Sequence, residues 1–464
     1  MLQKYLNNNG NVETHKFFVL LFYLFDKITN KFLMKRVLLY LWLSGMAYCT
    51  TFGQAEMHPV ISATSSTVSG MAPDRLLRID KLLQESLDNK WTNAVVALVV
   101  RNGSVAYYKS FGHDDIDNRK PMPKDGIFRI ASQTKAITSV AIMILYEEGK
   151  LLLDDPISKY IPEFKNPKVL DKFYEKDTTY TTVPAKREIT VRDLLTHTSG
   201  ISYAQIGEGE LNSIYYKNKI SCGLGLEMKL LSTDIKKLGT LPLLHQPGEK
   251  FTYGLNVDVL GYLVEVLSGM SLDEFFQKRI FEPLGMKDTY FYLPSEKQSR
   301  LVNLYLVSTD GSLRKSPGYF EVNGERLKDY PKAKGIYFAG GTGLSSTIWD
   351  YAIFLQMLLN DGEYNGSRIL SRNGVRMMTM NQIGDLNNGL YKFGLGFEIV
   401  TEQSSSLLPV QHGSYSWGGA FSTAYWVDPK EKIVGLLFKQ LWDDQHENEL
   451  RDKFKVLVYQ AIND

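Results

Sequence analysis

Apolar positions recur every three or four residues from Pro73 to Trp91, at Leu76, Leu77, Ile79, Leu82, Leu83 and Leu87, and a proline stands at the first turn. That spacing predicts an amphipathic helix. Ala94–Val100 and Val105–Phe111 are β-branched, apolar runs separated by Asn102-Gly103, the pattern of a hairpin. Ala136–Tyr146 is apolar almost all round and stops at Gly149, which predicts a buried helix. From about 150 to 390 the pattern changes to helical segments between long loops rich in Gly, Pro and Asn. Within it, 203–240 and 295–335 read as irregular stretches suited to the rim of a site. Strand-like runs return at Gly394–Val400, Ala420–Val427 and Ile433–Phe438, with Asp428-Pro429 as a connecting turn, and a last helix is expected from about Glu447 to Ile462. No internal repeat is visible. The pattern predicts an α/β fold of the α+β type: one antiparallel sheet built from both chain ends, flanked by helices, with a largely helical inserted subdomain at about 150–390.

The front of the chain follows a different logic. Met34-Lys35-Arg36 is a charged start, Val37–Leu43 is an unbroken apolar run, and Gly53-Gln54-Ala55 supplies small residues of the kind signal peptidase favours. The run is shorter than the roughly 20 residues a bilayer span needs. The expectation is an upstream extension over 1–33, a signal peptide over 34–55 cut after Ala55, a polar lead-in over 56–72 and a single catalytic domain over 73–464. The mature protein is then periplasmic or secreted, without a stable membrane span. Cleavage would remove Cys49 and leave Cys222 alone, so no disulfide is expected to support the fold.

Composition adds mainly exclusions. The 464 residues are 44% hydrophobic and 22% charged, which is ordinary for a globular chain. Net charge is +2, and residues 1–55 hold six Lys/Arg against two Asp/Glu, so the remainder is slightly acidic and carries no electrostatic footprint for nucleic acid. The seven histidines are scattered and form no zinc-ligand spacing with the cysteines, so chemistry without metal or cofactor is expected. Asp154-Asp155-Pro156 reads as a turn, Gly340-Gly341-Thr342-Gly343 as a turn into a helix over Trp349–Leu359, and Cys222 as an inert thiol.

Ser132 and Lys135 lie three residues apart where the apolar helix begins, in Phe128-Arg129-Ile130-Ala131-Ser132-Gln133-Thr134-Lys135. Residues i and i+3 share a helix face, so an amine can reach the hydroxyl and take its proton. A second Ser-x-x-Lys, Ser312–Lys315, has no helix behind it and reads as chance. Two further elements follow in order: Tyr253 in Phe251-Thr252-Tyr253-Gly254-Leu255-Asn256 before the apolar run Val257–Leu267, and Ser416-Trp417-Gly418-Gly419-Ala420-Phe421 entering a strand. This ordered triple resembles the serine β-lactamase and penicillin-recognising hydrolase superfamily, in its class C-like branch, over roughly residues 74 to 462. Ile189–Gly200, Gly340–Ser346, Leu153–Pro156 and Trp426–Pro429 support the likeness.

The resemblance implies Ser132 as acylated nucleophile, Lys135 as its proton partner, and Tyr253 as second base or as acid to the leaving group. A phenol ordinarily titrates near 10, so Tyr253 needs a neighbouring cation, which Lys135 would supply. It further implies an oxyanion hole from the backbone N–H groups of Ser132 and Ala420, with Asn256, Trp417, Gly418 and Gly419 against a small-molecule ester or amide substrate. Two departures concern the substrate. Leu255 stands where Tyr-x-Asn would put asparagine, with Asn256 one place later, and Trp417 stands where a Lys or His usually helps hold a carboxylate. An indole has one N–H and no charge. The Trp-Gly-Gly motif resembles that of the family VIII carboxylesterases, which favours esters. A β-lactamase or D-alanyl or D-amino peptidase, and a non-turnover acylated sensor, remain the alternatives. Lys250 or Arg192 is a candidate replacement cation; His412 is too far upstream, and His197 reads as structural.

Overall fold

Every position of Ala94–Arg101 (β1) is buried, so this strand needs cover on both faces. The computed structural model describes residues 61–62, 69–204, 209–322 and 324–464. The expected extension over 1–33, the signal peptide over 34–55 with Cys49, and most of the lead-in over 56–72 lie outside the described residues. β1 turns through Asn102 and Gly103, with φ of 53° and 73°, into Ser104–Asp115 (β2), the hairpin the sequence predicts. Lys120–Pro121 (β3) follows on the outside. The other strands come from the far end of the chain: Lys392–Phe393 (β4), Glu398–Ile399 (β5), Tyr415–Gly419 (β6), Thr423–Asp428 (β7) and Ile433–Phe438 (β8). The order β4-β5-β6-β7-β8-β1-β2-β3 is antiparallel throughout, and the two chain ends meet where Leu98 of β1 faces Leu436 of β8.

Five helices matter for the site: Pro73–Asp88 (α1), Thr134–Glu147 (α2), Asn256–Ser268 (α3), Ile348–Leu359 (α4) and Glu447–Tyr459 (α5). Val95, Ala97 and Val99 point to one face of β1 and pack with Leu76, Ile79 and Leu83 of α1 and with Phe454 and Val458 of α5. Val96, Leu98 and Val100 point the other way, into the large cluster that holds α2 and α4. α2 is buried on every side from Thr134 to Leu145, which is why its apolar residues show no single stripe. No helix of the described residues is long and apolar enough to cross a membrane.

The mixed fold with a large antiparallel sheet matches expectation, while several details differ. The stretch 150–390 shares its core with the sheet and belongs to the same unit as the rest of the described chain. It also holds strands as well as helices, including the hairpin Lys168–Tyr174 with Thr179–Pro184. The two stretches expected to be irregular contain the helices Glu210–Lys217 and Leu231–Leu238 and the pairs Tyr305–Val307 with Leu313–Lys315 and Tyr319–Val322 with Glu325–Lys328. These elements are too short for a periodic pattern to stand out. Of the strand expected over Gly394–Val400, only Glu398–Ile399 pairs, after a bend at Gly396 (φ 95°). The strand expected from Ala420 starts at Thr423, because Ala420–Ser422 make the β6–β7 turn: Ser422 takes φ 61° and its N–H donates to the Gly419 carbonyl at 2.9 Å. The Trp-Gly-Gly motif therefore lies within a strand, not at the entrance to one.

Candidate active site

Ser132 sits in a one-turn 3-10 helix, Ala131–Gln133, that runs directly into α2. The residues before it are anchored from three sides. Phe128 and Arg129 pair with Ser346 and Ser345. The Arg129 guanidinium donates to Asp329 and, at 2.9 Å, to the Val302 carbonyl. Ala131 is held at φ 41°, a left-handed conformation that a non-glycine residue adopts only when its surroundings impose it. Together these contacts present the serine to a cleft of 440 Å³ whose lining also includes Tyr253, Trp417, Gly418, Gly419 and Ala420.

Lys135, one turn on, is almost completely buried. Its Nζ has three oxygen neighbours: Ser132 Oγ at 3.3 Å, Tyr203 Oη at 3.0 Å and the Gly341 carbonyl at 2.8 Å. It also lies over the Tyr253 ring, 4.7 Å from its centroid, yet makes no hydrogen bond to the Tyr253 hydroxyl. Cation and phenol meet as expected, but face to ring. Gly340–Thr342 form the turn read from sequence, ahead of α4, and with Leu344 they make a wall along α2. The Gly340 carbonyl accepts from Thr138 at 2.6 Å, and the Leu344 N–H donates to Thr134 at 3.1 Å.

Behind that wall Asp258, on α3, accepts from the Gly341 N–H at 3.0 Å through Oδ1, while Oδ2 is buried without a partner. Burial raises the carboxyl from 3.8 to about 6, opposed by the nearby Lys135 charge and the Gly341 N–H. A carboxyl raised on folding stabilises the fold below its unfolded value and loses that contribution as pH rises through its folded value. Asp258→Asn is therefore expected to gain stability relative to the parent between pH 4 and pH 6. The gain is on the order of 3 kcal/mol in paired denaturant melts. A difference independent of pH would contradict the raised value.

Tyr253 is carried by a loop that docks on 197–202: the Thr252 N–H donates to the His197 carbonyl at 2.7 Å, and the His197 and Tyr253 rings lie 4.8 Å apart. Across the cleft Trp417 packs its ring 5.3 Å from that of Tyr253 and points Nε1 at the Tyr253 hydroxyl, 3.4 Å away. Gly419 is needed for close approach, since a Cβ there would meet the Ile130 carbonyl oxygen at 2.2 Å. β6 can thus lie directly against the turn bearing Ser132, with Ala420 at its end.

Asn256 departs from expectation. It is fully buried and not part of the cleft lining; its side chain joins Ser199, His197 Nδ1 at 2.9 Å and the Ile201 carbonyl at 3.3 Å. One position beyond Tyr-x-Asn spacing, at the first turn of α3, its amide points into the protein and ties down the Tyr253 loop. His197 is fully buried, and burial together with Lys135 holds it well below its ordinary value, so it is a neutral structural ring.

The candidate replacement cations are elsewhere: Arg192 pairs with Asp154, and Lys250 is exposed outside the cleft lining, as is His412. Arg451 and Lys455 of α5 do line the far limb of the cleft, but with Glu398 and Glu447 beside them the limb has equal numbers of acid and base. Lys315 of the second Ser-x-x-Lys pairs with Asp115 at 2.8 Å. Asp155 is tied to Tyr160 and to the Leu152 N–H within its own turn. Cys222 is fully buried, and burial pushes its thiol up to about 12. The site residues that escaped sequence reading are Tyr203, the Gly341 carbonyl and Asp258.

Comparison with known proteins agrees with this fold. The profile of the Beta-lactamase family matches residues 79–460. Protein Rv1367c of Mycobacterium tuberculosis is 34% identical over 375 residues, covering 77% of this chain and 88% of that protein. Esterase EstB of Burkholderia gladioli is 27% identical over 377 residues, 80% of this chain and 91% of its own. Among solved structures, EstCE1, described as a hydrolase with promiscuous acyltransferase activity, superposes with a TM-score of 0.70 at 24% identity, over 84% of this chain and 99% of its own. The chain belongs to the Beta-lactamase family of serine hydrolases.

Proposed function

We propose that the protein is an exported carboxylesterase-like hydrolase that works through an acyl-enzyme on Ser132. Ser132 Oγ attacks the ester carbonyl, its proton passes to Lys135, and the oxyanion is held by the backbone N–H groups of Ser132 and Ala420. Tyr253 protonates the departing alkoxide. It then takes a proton from the water that attacks the acyl group, while Lys135 returns its proton to Ser132 Oγ. Gly418 and Gly419 let the substrate lie close against β6. Export follows from the expected signal peptide, and N-terminal sequencing of the secreted protein is expected to read from Glu56.

The observation that carries the ester reading is Trp417. Its Nε1 points at Tyr253 at the place where a cation would bind a carboxylate, so an uncharged acyl substrate meets an apolar wall with a single donor. The likeness to EstB and EstCE1 supports it. Steady-state hydrolysis of p-nitrophenyl butyrate beside a chromogenic cephalosporin tests it: fast ester turnover with little lactam turnover is expected. The reverse would move the reading to a β-lactamase or D-peptidase, and a stable adduct without turnover to a sensor. Trp417→Lys is expected to raise the cephalosporin-to-ester ratio of kcat/KM about tenfold, the worth of one charge-assisted hydrogen bond. An unchanged ratio would remove the role given to Trp417.

A further inference from the structure

We propose that Asp258 is a positioning residue for Lys135, acting through Gly341 from behind the wall of the cleft. The inference rests on the acyl-enzyme reading of Ser132 and deepens it. Two hydrogen bonds carry it, both on Gly341. The Gly341 N–H donates back to Asp258 Oδ1 at 3.0 Å, and the Gly341 carbonyl accepts from Lys135 Nζ at 2.8 Å. The turn that holds Gly341 is pressed between α3 and α2. Toward α3, a Cβ on Gly340 would meet the Val257 carbonyl oxygen at 2.8 Å, and a Cβ on Gly341 would meet Asp258 Oδ2 at 2.4 Å. Toward α2, the Gly340 carbonyl accepts from Thr138 at 2.6 Å. Asp258 itself is not among the residues that line the cleft, so it acts on Lys135 and not on the substrate.

The Gly341 carbonyl matters because of what an amine base needs. A neutral Lys135 has two N–H groups and one lone pair, and only the lone pair can take the Ser132 proton. Its Nζ has three oxygen neighbours: Ser132 Oγ, Tyr203 Oη and the Gly341 carbonyl. A hydroxyl donates or accepts, so Ser132 and Tyr203 each tolerate an N–H or the lone pair. A carbonyl only accepts, so an N–H must face Gly341. That excludes one of the two unproductive orientations of the amine and holds Nζ within reach of Ser132 Oγ. The carbonyl does this only while the turn is held in place, and Asp258 holds it. Asp258 is fully buried, and its Oδ2 has no hydrogen-bond partner among the described residues. Burying a carboxyl with one oxygen unpaired opposes folding, and a leucine would fill similar space without that cost. A leucine could not accept the Gly341 N–H.

Asp258→Leu and Asp258→Asn separate the hydrogen bond from the charge. The assay is hydrolysis of p-nitrophenyl butyrate at pH 8, where the parent carboxyl, raised to about 6, is ionised. Asp258→Leu keeps the bulk and removes the acceptor, and its kcat is expected to fall about 10²-fold with KM unchanged, the scale on which a small misplacement of a reacting group is felt. The lost charge does not account for such a fall, since an anion near Lys135 favours the ammonium and its removal favours the free amine. Asp258→Asn keeps an oxygen on the Gly341 N–H and is expected to match the parent's kcat or exceed it. Asp258→Leu with the parent's kcat, a loss carried by KM, or Asp258→Asn as slow as Asp258→Leu would each overturn the proposal. Denaturant melts run alongside report whether each variant is folded. If Asp258→Leu is not, Asp258→Ala takes its place with the same expectation, and a slow, folded Asp258→Asn overturns the proposal by itself. The two readings fail differently. If the parent never acylates at Ser132, the proposed function falls; if it acylates and folded Asp258→Leu matches it, only the role of Asp258 falls.

Discussion

Ser132→Ala is expected to lower kcat for p-nitrophenyl butyrate by about 10³-fold or more while leaving the melting transition in place. The change removes one oxygen from a half-buried side chain whose only recorded hydrogen bond comes from Lys135, at 3.3 Å, so the fold has little to lose. The chemistry loses the aliphatic hydroxyl that lines the cleft beside the buried Lys135 amine, and the other candidates are elsewhere: Ser312 is on the surface, Cys222 is buried with its thiol pushed up to about 12, and His197 is a neutral ring inside the protein. What would remain is the contribution of the oxyanion donors and of binding. A variant with the parent's rate would mean that the ester is cleaved elsewhere.

Lys135→Met is expected to cost as much in kcat, again with only a small change in stability. Met fills most of the same volume and replaces a buried amine with an uncharged thioether. The partners left behind are the Tyr203 hydroxyl and the Gly341 carbonyl, both left without the Lys135 N–H. Stability is therefore expected to change by about 1 kcal/mol in either direction, with kcat down about 10³-fold. Denaturant melts and ester kinetics on the same preparations separate the two effects. A variant that loses activity only because it unfolds would contradict the assignment of Lys135 to proton transfer.

What could be read from the sequence follows from how locally each feature is encoded. The hairpin at Asn102-Gly103 is fixed by two adjacent residues with left-handed backbone, and β1 and α2 are long enough for their apolar runs to be seen. The Ser132 and Lys135 pair is likewise local, since one helical turn brings the two together. Tyr253 and Trp417 were legible only as members of an ordered set, since 164 residues separate the partners of their contact.

Tyr203 was not legible. It stands just after Gly200-Ile201-Ser202, in no motif, as one of 27 tyrosines, and it reaches Lys135 across 68 residues of chain. The Gly341 carbonyl is a backbone atom, which a side-chain pattern cannot announce. Asn256 misled because a shift of one position at a helix start rotates a side chain by about 100°, enough here to turn it from the cleft into the protein. The strand β6 was hidden because Gly418-Gly419 has low strand propensity, and pairing with β7 overrides it.

The central claim is an acyl group on Ser132, and the most direct test is to trap it. The parent protein would be mixed with p-nitrophenyl butyrate, quenched in acid during turnover, digested and mapped by mass spectrometry. The account predicts a butyryl group on Ser132 that disappears as substrate is exhausted and never forms in Ser132→Ala. Turnover with Ser132 unmodified, or a butyryl group on another residue that persists in Ser132→Ala, would contradict it.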